Sequence, residues 1–300
     1  MSADESLYLG VDVGGTKILA LVATAEGEVR GRKKLKTSAE GSLADQVAAA
    51  AEGALENAGA AVTEVAGIGV AVPAVVDSRE GLVVHAPNLD NADPHLRERL
   101  AERYPCPVFL GNDVNLGTLA EVWRGAGKDA ENVVGIFVGT GIGGGVVMGG
   151  RLLTGSEDQA GEIGHLVLSV DGPMCGCGNR GCFEALASRT AIERDLREGL
   201  AAGRESSLRE AAEAGRIHSG DLAEALQAGD ALVTEVMTRV GHYLGQGVLT
   251  IRHCLDPDVV ILGGGVMEAC GDFLLPLVEA EVRGDHLRRS RDALRVASSE

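Results

Sequence analysis

A duplicated α/β fold in two domains is what this sequence predicts, on three observations. Three hundred residues at 45% hydrophobic content can bury a large core, more naturally in two domains than in one. A block of β-rich strand, glycine turn, strand, turn and strand opens the chain. The same block returns from Asn132 onward, which predicts two similar halves with a cleft between them.

Leu7 to Val13 alternates and is β-rich, then breaks at Gly14-Gly15; Ile18 to Ala23 and Val29 to Lys36 are the next strands, joined by the turn Ala25-Glu26-Gly27-Glu28. Ser42 to Ala58 is Ala-rich, with Ser42 as N-cap and Gly59 as stop, and predicts a helix. Val65 to Val72 is a buried strand, and Val108 to Leu110 a short one ending at Gly111-Asn112-Asp113. In the second copy, Asn132 to Val138 is a strand, Gly139 to Gly145 a glycine turn, Val146 to Met148 a strand, Gly149-Gly150 a turn and Arg151 onward another strand. Ala185 to Ala202 and Gly229 to His253 predict helices, and Asp258 to Leu262 a strand delivering Gly263-Gly264-Gly265. Ala293 to Ala297 is strand-like. No linker is visible, so the boundary is placed just after Asp113, giving domains 1–113 and 114–300.

Composition excludes some functions. A net charge of −17 disfavours a nucleic-acid groove or an anionic membrane surface, since both need clustered Lys and Arg. No apolar run reaches membrane-spanning length, and the acidic N-terminus turns directly into a strand, unlike a signal peptide. Of six cysteines, Cys106, Cys254 and Cys270 have no paired spacing, which suits a reducing cytoplasm.

The other three cysteines carry the sharpest signal. Nine residues separate His165 from Cys175, one lies between Cys175 and Cys177, and four between Cys177 and Cys182. One imidazole and three thiols at that spacing predict a closed tetrahedral zinc site, with Gly172, Gly176, Gly178 and Gly181 letting the backbone fold back. A disulfide or chance clustering is the alternative, although a Cys-x-Cys pair is too close to bridge comfortably.

Three glycine turns suggest phosphate binding. Asp12-Val13-Gly14-Gly15-Thr16-Lys17 offers close backbone approach, a hydroxyl and an ammonium, with Asp12 as an outer ligand of Mg²⁺ through water. The alternative for this turn taken alone is an ordinary hairpin turn. Gly139-Thr140-Gly141-Ile142-Gly143-Gly144 spells GxGxxG, but a hairpin comes next where a dinucleotide site needs a helix. Thr140 as hydroxyl donor in a second phosphate turn fits better. Gly263-Gly264-Gly265 could admit an adenine ring or α-phosphate, or be a plain strand-to-helix turn. Asp113 is a candidate general base for a hydroxyl attacking a phosphate, and Asn112-Asp113 could instead cap a helix running to Trp123.

Together the motifs DVGGTK, NDVN (Asn112 to Asn115), GTGIGGG, EIGH with CGCGNRGCFE, and LGGG resemble the ROK family of sugar kinases and sugar-responsive repressors across essentially the whole chain. The resemblance implies two ribonuclease-H-like domains of the actin/hexokinase type. It implies an ATP:hexose 6-phosphotransferase, most simply a glucokinase, with ATP, Mg²⁺ and structural Zn²⁺. Asp113 would be the catalytic base, and Glu162, His165, Glu184, Asn112 and Asn88 would contact the sugar. One nitrogen of His165 would bind zinc while the other faces the hexose. A homodimer is the family expectation. Eleven residues precede Asp12, where the repressors carry a DNA-binding module, and this favours the kinase branch. The segments Val70 to Asp77 and Asp90-Asn91-Ala92-Asp93 depart from the glucokinase-like pattern. An N-acetylhexosamine or fructose kinase is therefore the alternative within the class, and a non-catalytic sugar-sensing regulator the alternative outside it. Relatives continue through a Gly-Ala-rich helix where this chain ends at Glu300, so reduced stability and turnover are expected.

Overall fold

The computed structural model describes residues 6–86, 89, 91–287 and 294–300, arranged as two compact units. One takes the described residues up to Leu116 together with Thr154–Gln159; the other is Gly117–Leu153 and Ala160–Glu300.

The first unit holds β1 (Leu7–Val13), β2 (Lys17–Thr24), β3 (Val29–Lys36), α1 (Leu43–Ala58), β4 (Val65–Val72), the small hairpin β5 (Val75–Asp77) and β6 (Leu82–His85), α2 (Leu96–Ala101) and β7 (Val108–Asn112). Its sheet runs β3-β2-β1-β4-β7, with β1, β2 and β3 antiparallel and β1, β4 and β7 parallel. Alternation along β1 buries Leu9, Val11 and Val13. These pack in one core with the alanine-rich stripe of α1, which includes Val47, Ala48, Ala51 and Ala54. The small residues let helix and sheet approach closely: a Cβ on Gly31 would meet the Ala54 carbonyl at 2.3 Å. Ser42 caps α1 and Gly59 ends it at φ 64, as its left-handed conformation requires.

α3 (Asp113–Arg124) comes directly after β7, and the second unit continues with β8 (Val133–Val138), β9 (Ile142–Met148), β10 (Arg151–Leu152), α4 (Phe183–Ala187), α5 (Arg189–Ala201), α6 (Arg209–Glu213), α7 (Ser219–Gln227), α8 (Ala231–Leu255), β11 (Val259–Gly263), α9 (Gly265–Gly284) and β12 (Arg295–Ser298). The sheet order β10-β9-β8-β11-β12 repeats that of the first unit, antiparallel for the first three strands and parallel thereafter. β11 is buried at every residue, as a parallel strand covered on both faces should be. α8 presents Leu232, Val236, Val240, Leu244, Val248 and Ile251 at helical spacing to the same core as Phe183 and α9.

The duplicated α/β pattern is therefore present, and four expectations need correction. The glycine turn is shorter than Gly139–Gly145, because β9 begins at Ile142 and takes Gly143, Gly144 and Gly145 into the β8–β9 ladder. Helix Ala185–Ala202 is two helices: the chain breaks at Ser188, whose extended backbone and side chain cap α5 by accepting from Ala191 N–H. The helix expected from Gly229 starts at Ala231, since Asp230 accepts from Leu232 and Val233 N–H at 3.0 Å and fixes its N-terminus. Helix α9, with Pro276 inside it, was hidden from the sequence behind its own glycine-rich start. The strand-like Ala293 lies outside the described residues, and β12 starts at Arg295.

Candidate active site and metal loop

The sequence-predicted residues fall into two groups, one in each unit. In the first unit Asp12 ends the exposed side of β1, and Gly14, Gly15 and Thr16 turn the chain into β2, which begins at Lys17. Gly14 N–H donates to the Lys17 carbonyl at 2.8 Å. Thr37, just past β3, holds the turn from the other side. Its hydroxyl donates to the Gly14 carbonyl at 2.7 Å and its N–H to the Thr16 carbonyl at 3.1 Å. A turn whose carbonyls are tied back in this way presents its remaining donors outward.

Asp113 opens α3 in the same unit. Burial pushes its carboxyl up to about 6, the nearby Asp12 charge adds to the rise, and the Val114 N–H bond at 2.9 Å opposes it. Desolvation by the surrounding chain also raises Asp12, exposed as the residue is, against the pull of Lys17. A carboxylate brought close to neutrality suits a general base. Asn112 has a different posture. Its Oδ1 accepts from Val114 and Asn115 N–H at 3.1 Å each, and its Nδ2 donates to the Ala74 carbonyl at 3.1 Å. The capping alternative thus holds for Asn112. Asn88, expected at the sugar pocket, lies outside the described residues.

In the second unit the shortened turn Gly139-Thr140-Gly141 closes on itself through Gly139 N–H to the Gly141 carbonyl at 2.9 Å. Gly141 is required by a close approach, because a Cβ there would sit 2.2 Å from Glu184 Oε2. That same oxygen accepts from Ile142 N–H at 3.0 Å, while Glu184 Oε1 lies 3.7 Å from Cys175 Sγ. Glu184 therefore links the glycine turn to the cysteine loop. Sequence reading missed the other anchor: Arg189 and Thr190, at the start of α5, also hold the turn. The signal was Ser188, a helix N-cap residue inside what read as one helix.

The glycines after β11 act as the strand-to-helix turn. Gly264 has φ 86 and caps α9, and a Cβ on it would meet the Val138 carbonyl at 2.7 Å. Gly263 is hemmed in by Phe137 and Ser299, whereas a Cβ on Gly265, which opens the helix, would meet only Ser219 Oγ at an ordinary 3.9 Å.

The cysteine loop folds as the spacing predicted. Gly178 and Gly181 take φ of 90 and 68, conformations that disfavour side chains. A Cβ on Gly181 would collide with the Ser169 carbonyl at 1.5 Å, and one on Gly172 would lie 2.7 Å from Gly181 Cα. Gly176 has open space, so three of the four glycines are needed by the geometry. Cys175 N–H donates to the Asn179 carbonyl at 2.8 Å, and Gly178 N–H back to Cys175 at 3.0 Å. One ligand atom each from His165, Cys175, Cys177 and Cys182 then lies within 4.8 Å of the others. The Cys177–Cys182 Sγ separation is 3.7 Å, too long for a disulfide and close to the ~3.8 Å edge of a tetrahedron with 2.3 Å zinc–sulfur bonds. The donor set fits a closed zinc site. His165 has Nδ1 3.7 Å from Cys175 Sγ and Nε2 4.0 Å from Glu162 Oε2, so its two nitrogens face different partners.

Comparison with known proteins accords with this architecture. Residues 8–294 match the ROK family. A glucokinase of Thermotoga maritima is 37% identical over 277 residues, covering 91% of this chain and 86% of that protein. The structure of a ROK family glucokinase from Streptomyces griseus in complex with glucose and AMPPNP superposes with a TM-score of 0.78 at 30% identity, covering 98% of this chain and 94% of the other. A ROK family transcriptional regulator, a homologue of the Escherichia coli Mlc protein, superposes with a TM-score of 0.86 at 27% identity, over 99% of this chain and 74% of its own. Among the described residues no helix is long and apolar enough to cross a membrane.

Proposed function

We propose, from the premise that this chain belongs to the ROK family, that it is a hexose kinase transferring the γ-phosphoryl group of ATP to glucose at its 6-hydroxyl. The observation that carries the reading is Asp113. It is a half-buried carboxyl raised to about 6, in the same unit as the Asp12–Lys17 phosphate turn. A sugar hydroxyl is a poor nucleophile at neutral pH, and a carboxylate near 6 can accept its proton as attack develops. Gly14, Gly15, Thr16 and Lys17, with Gly139, Thr140 and Gly141, supply donors for the phosphates, and Gly263, Gly264 and Gly265 the adenosine side. Asp12 would be an outer ligand, through water, of a phosphate-bound Mg²⁺, which supplies charge neutralisation when bound.

Glu162, His165 and Glu184, with Asn112 and Asn88, are assigned to the sugar hydroxyls. Carboxylates and amides suit a polyol, because a mismatched epimer leaves buried polar groups unpaired. His165, Cys175, Cys177 and Cys182 would hold zinc, whose role is to fix the loop that carries these groups. The assembly is read as a homodimer in the cytoplasm, with no nucleic acid or membrane partner.

The test is coupled ADP release with Mg-ATP against glucose, mannose, fructose, N-acetylglucosamine and N-acetylmannosamine. A strong glucose preference is expected. Preference for an acetylated sugar or fructose would keep the chemistry and move the substrate. Absence of sugar-dependent turnover in folded protein would transfer the reading to a sugar-sensing regulator, which the likeness to the ROK regulator makes the second choice.

A further inference from the structure

The second glycine turn is gripped by the start of α5 in a way that orients its one hydroxyl. Arg189 N–H donates to the Gly139 carbonyl at 3.0 Å. The Thr140 carbonyl accepts from Thr190 N–H at 3.3 Å and from the Thr190 hydroxyl at 2.8 Å. The Arg189 guanidinium donates from Nη2 to Thr140 Oγ1 at 2.7 Å. Arg189 is the first residue of α5, where the helix dipole disfavours a cation. Glu193 offsets this from the following turn: its Oε1 lies 3.9 Å from Arg189 Nε, and its Oε2 accepts from Arg197 at 2.9 Å. The Arg189 side chain is 15% exposed, so this is a held guanidinium and not a solvated surface charge.

A guanidinium has no acceptor. Its bond to Thr140 must use an oxygen lone pair, which leaves the Thr140 proton directed elsewhere. Both turn carbonyls that could draw that proton back, Gly139 and Thr140, already accept from α5. Among the described residues neither Thr140 N–H nor Gly141 N–H donates to a backbone carbonyl. The turn is thus left with donors to offer beside a fixed positive charge, a combination that selects an anion.

We propose that Arg189 is a positioning residue for the phosphoryl donor: it fixes the Thr140 hydroxyl as a hydrogen-bond donor to a phosphate of the nucleotide. This rests on the kinase reading and deepens it, placing part of the nucleotide's recognition on a side chain of α5. It also implies that the arginine acts through the threonine, so the two substitutions should not be independent.

The test is a double-mutant cycle on Arg189→Met and Thr140→Val. Mg-AMPPNP binding is read by calorimetry, and KM for ATP and for sugar by coupled assay. Each single variant is expected to weaken AMPPNP and raise the ATP KM roughly tenfold, with the sugar KM within about twofold of the parent. The double variant should be no weaker than Thr140→Val alone. Arg189→Lys, which keeps the charge but loses the planar fork of donors, should fall between parent and Arg189→Met, and it serves as the probe if the methionine variant misfolds. Multiplicative effects in the double variant, or an unchanged ATP KM in Arg189→Met, would overturn the proposal. If the parent protein neither binds AMPPNP nor turns over, it is the kinase reading itself that fails. A parent active with ATP and an Arg189 variant without effect sinks only the positioning role.

Discussion

The two units share a strand order and differ in how they deploy their polar groups. In the first, charge is concentrated: Asp12 lies within electrostatic reach of both Lys17 and Asp113, and desolvation raises both carboxyls. In the second, the corresponding turn is built from glycines and a threonine, and its nearest carboxylate, Glu184, is bound to Ile142 N–H and sits beside Cys175. One topology therefore carries a half with raised carboxyls and a scaffolded half. The difference lies outside the strands, in a helix opening on Asp113 in one unit and a loop with four metal-type ligands in the other.

The largest effect should come from the charged half. Asp113→Asn is expected to lower kcat by about 10²–10⁴-fold while glucose binding measured by calorimetry stays within a few-fold. Equal loss of both would make Asp113 structural. The same change should stabilise the fold. Asp113 holds its proton up to about 6 in the native state, whereas an unfolded carboxyl releases it near 3.8. Between these values the native state binds more protons, so stability falls as pH rises through the window and stays lower above it. Replacing the acid removes a penalty on the order of 2–3 kcal/mol at pH 7.5. Urea melts at pH 4.5 and 7.5 would show the parent losing stability with pH and the variant losing less.

How much of this was legible in the sequence depends on the range of the forces involved. Strands β1, β3 and β4 and helix α1 were readable to the residue, or within one, because alternation, Ser42 and Gly59 are local signals. The four metal-type ligands were readable because their spacing is itself the constraint. The break at Ser188 left only a weak local trace, an N-cap residue type inside a helical stretch, and what fixes it is long-range: the Gly139 and Thr140 carbonyls accept from Arg189 and Thr190 at the start of α5. The dual posture of Glu184 was equally invisible, because it depends on a glycine 43 positions earlier that admits the carboxylate. The capping role of Asn112 was readable as one of two alternatives, and its bonds to Val114 and Asn115 N–H show it; the sugar contact proposed for the same side chain falls to its amide nitrogen.

A second prediction acts on the scaffolded half. Cys182 is fully buried, and Cys182→Ser is expected to abolish zinc measured by plasma emission. It should also raise the sugar KM roughly tenfold or more, as loss of groups that orient ligands commonly does, with the ATP KM much less affected. Full activity in a metal-free variant would separate the loop from the sugar site. Asp113→Asn and Cys182→Ser would then report opposite signatures, kcat for the first unit and sugar KM for the second.

The smallest effects compare one helix cap from each unit. Ser42 caps α1 through a single exposed bond, accepting from Asp45 N–H at 3.4 Å. Asp230 caps α8 through two helix N–H groups and also accepts from Ser207 N–H at 2.7 Å and the Ser206 and Ser207 hydroxyls at 2.8 Å. Burial works to raise Asp230, but these hydrogen bonds outweigh it and hold the carboxyl at about 2. Ser42→Ala should cost about 0.5–1 kcal/mol and Asp230→Ala about 2–3 kcal/mol in urea melts at pH 7. The sign with pH differs as well. A depressed native value means the Asp230 contribution is present above about pH 4 and is lost as pH falls toward 2. The gap between parent and Asp230→Ala should therefore close across that range, while the Ser42→Ala gap stays constant. A gap that persists unchanged at pH 2.5 would mean that the Asp230 site acts through packing, and that the two caps differ in size alone.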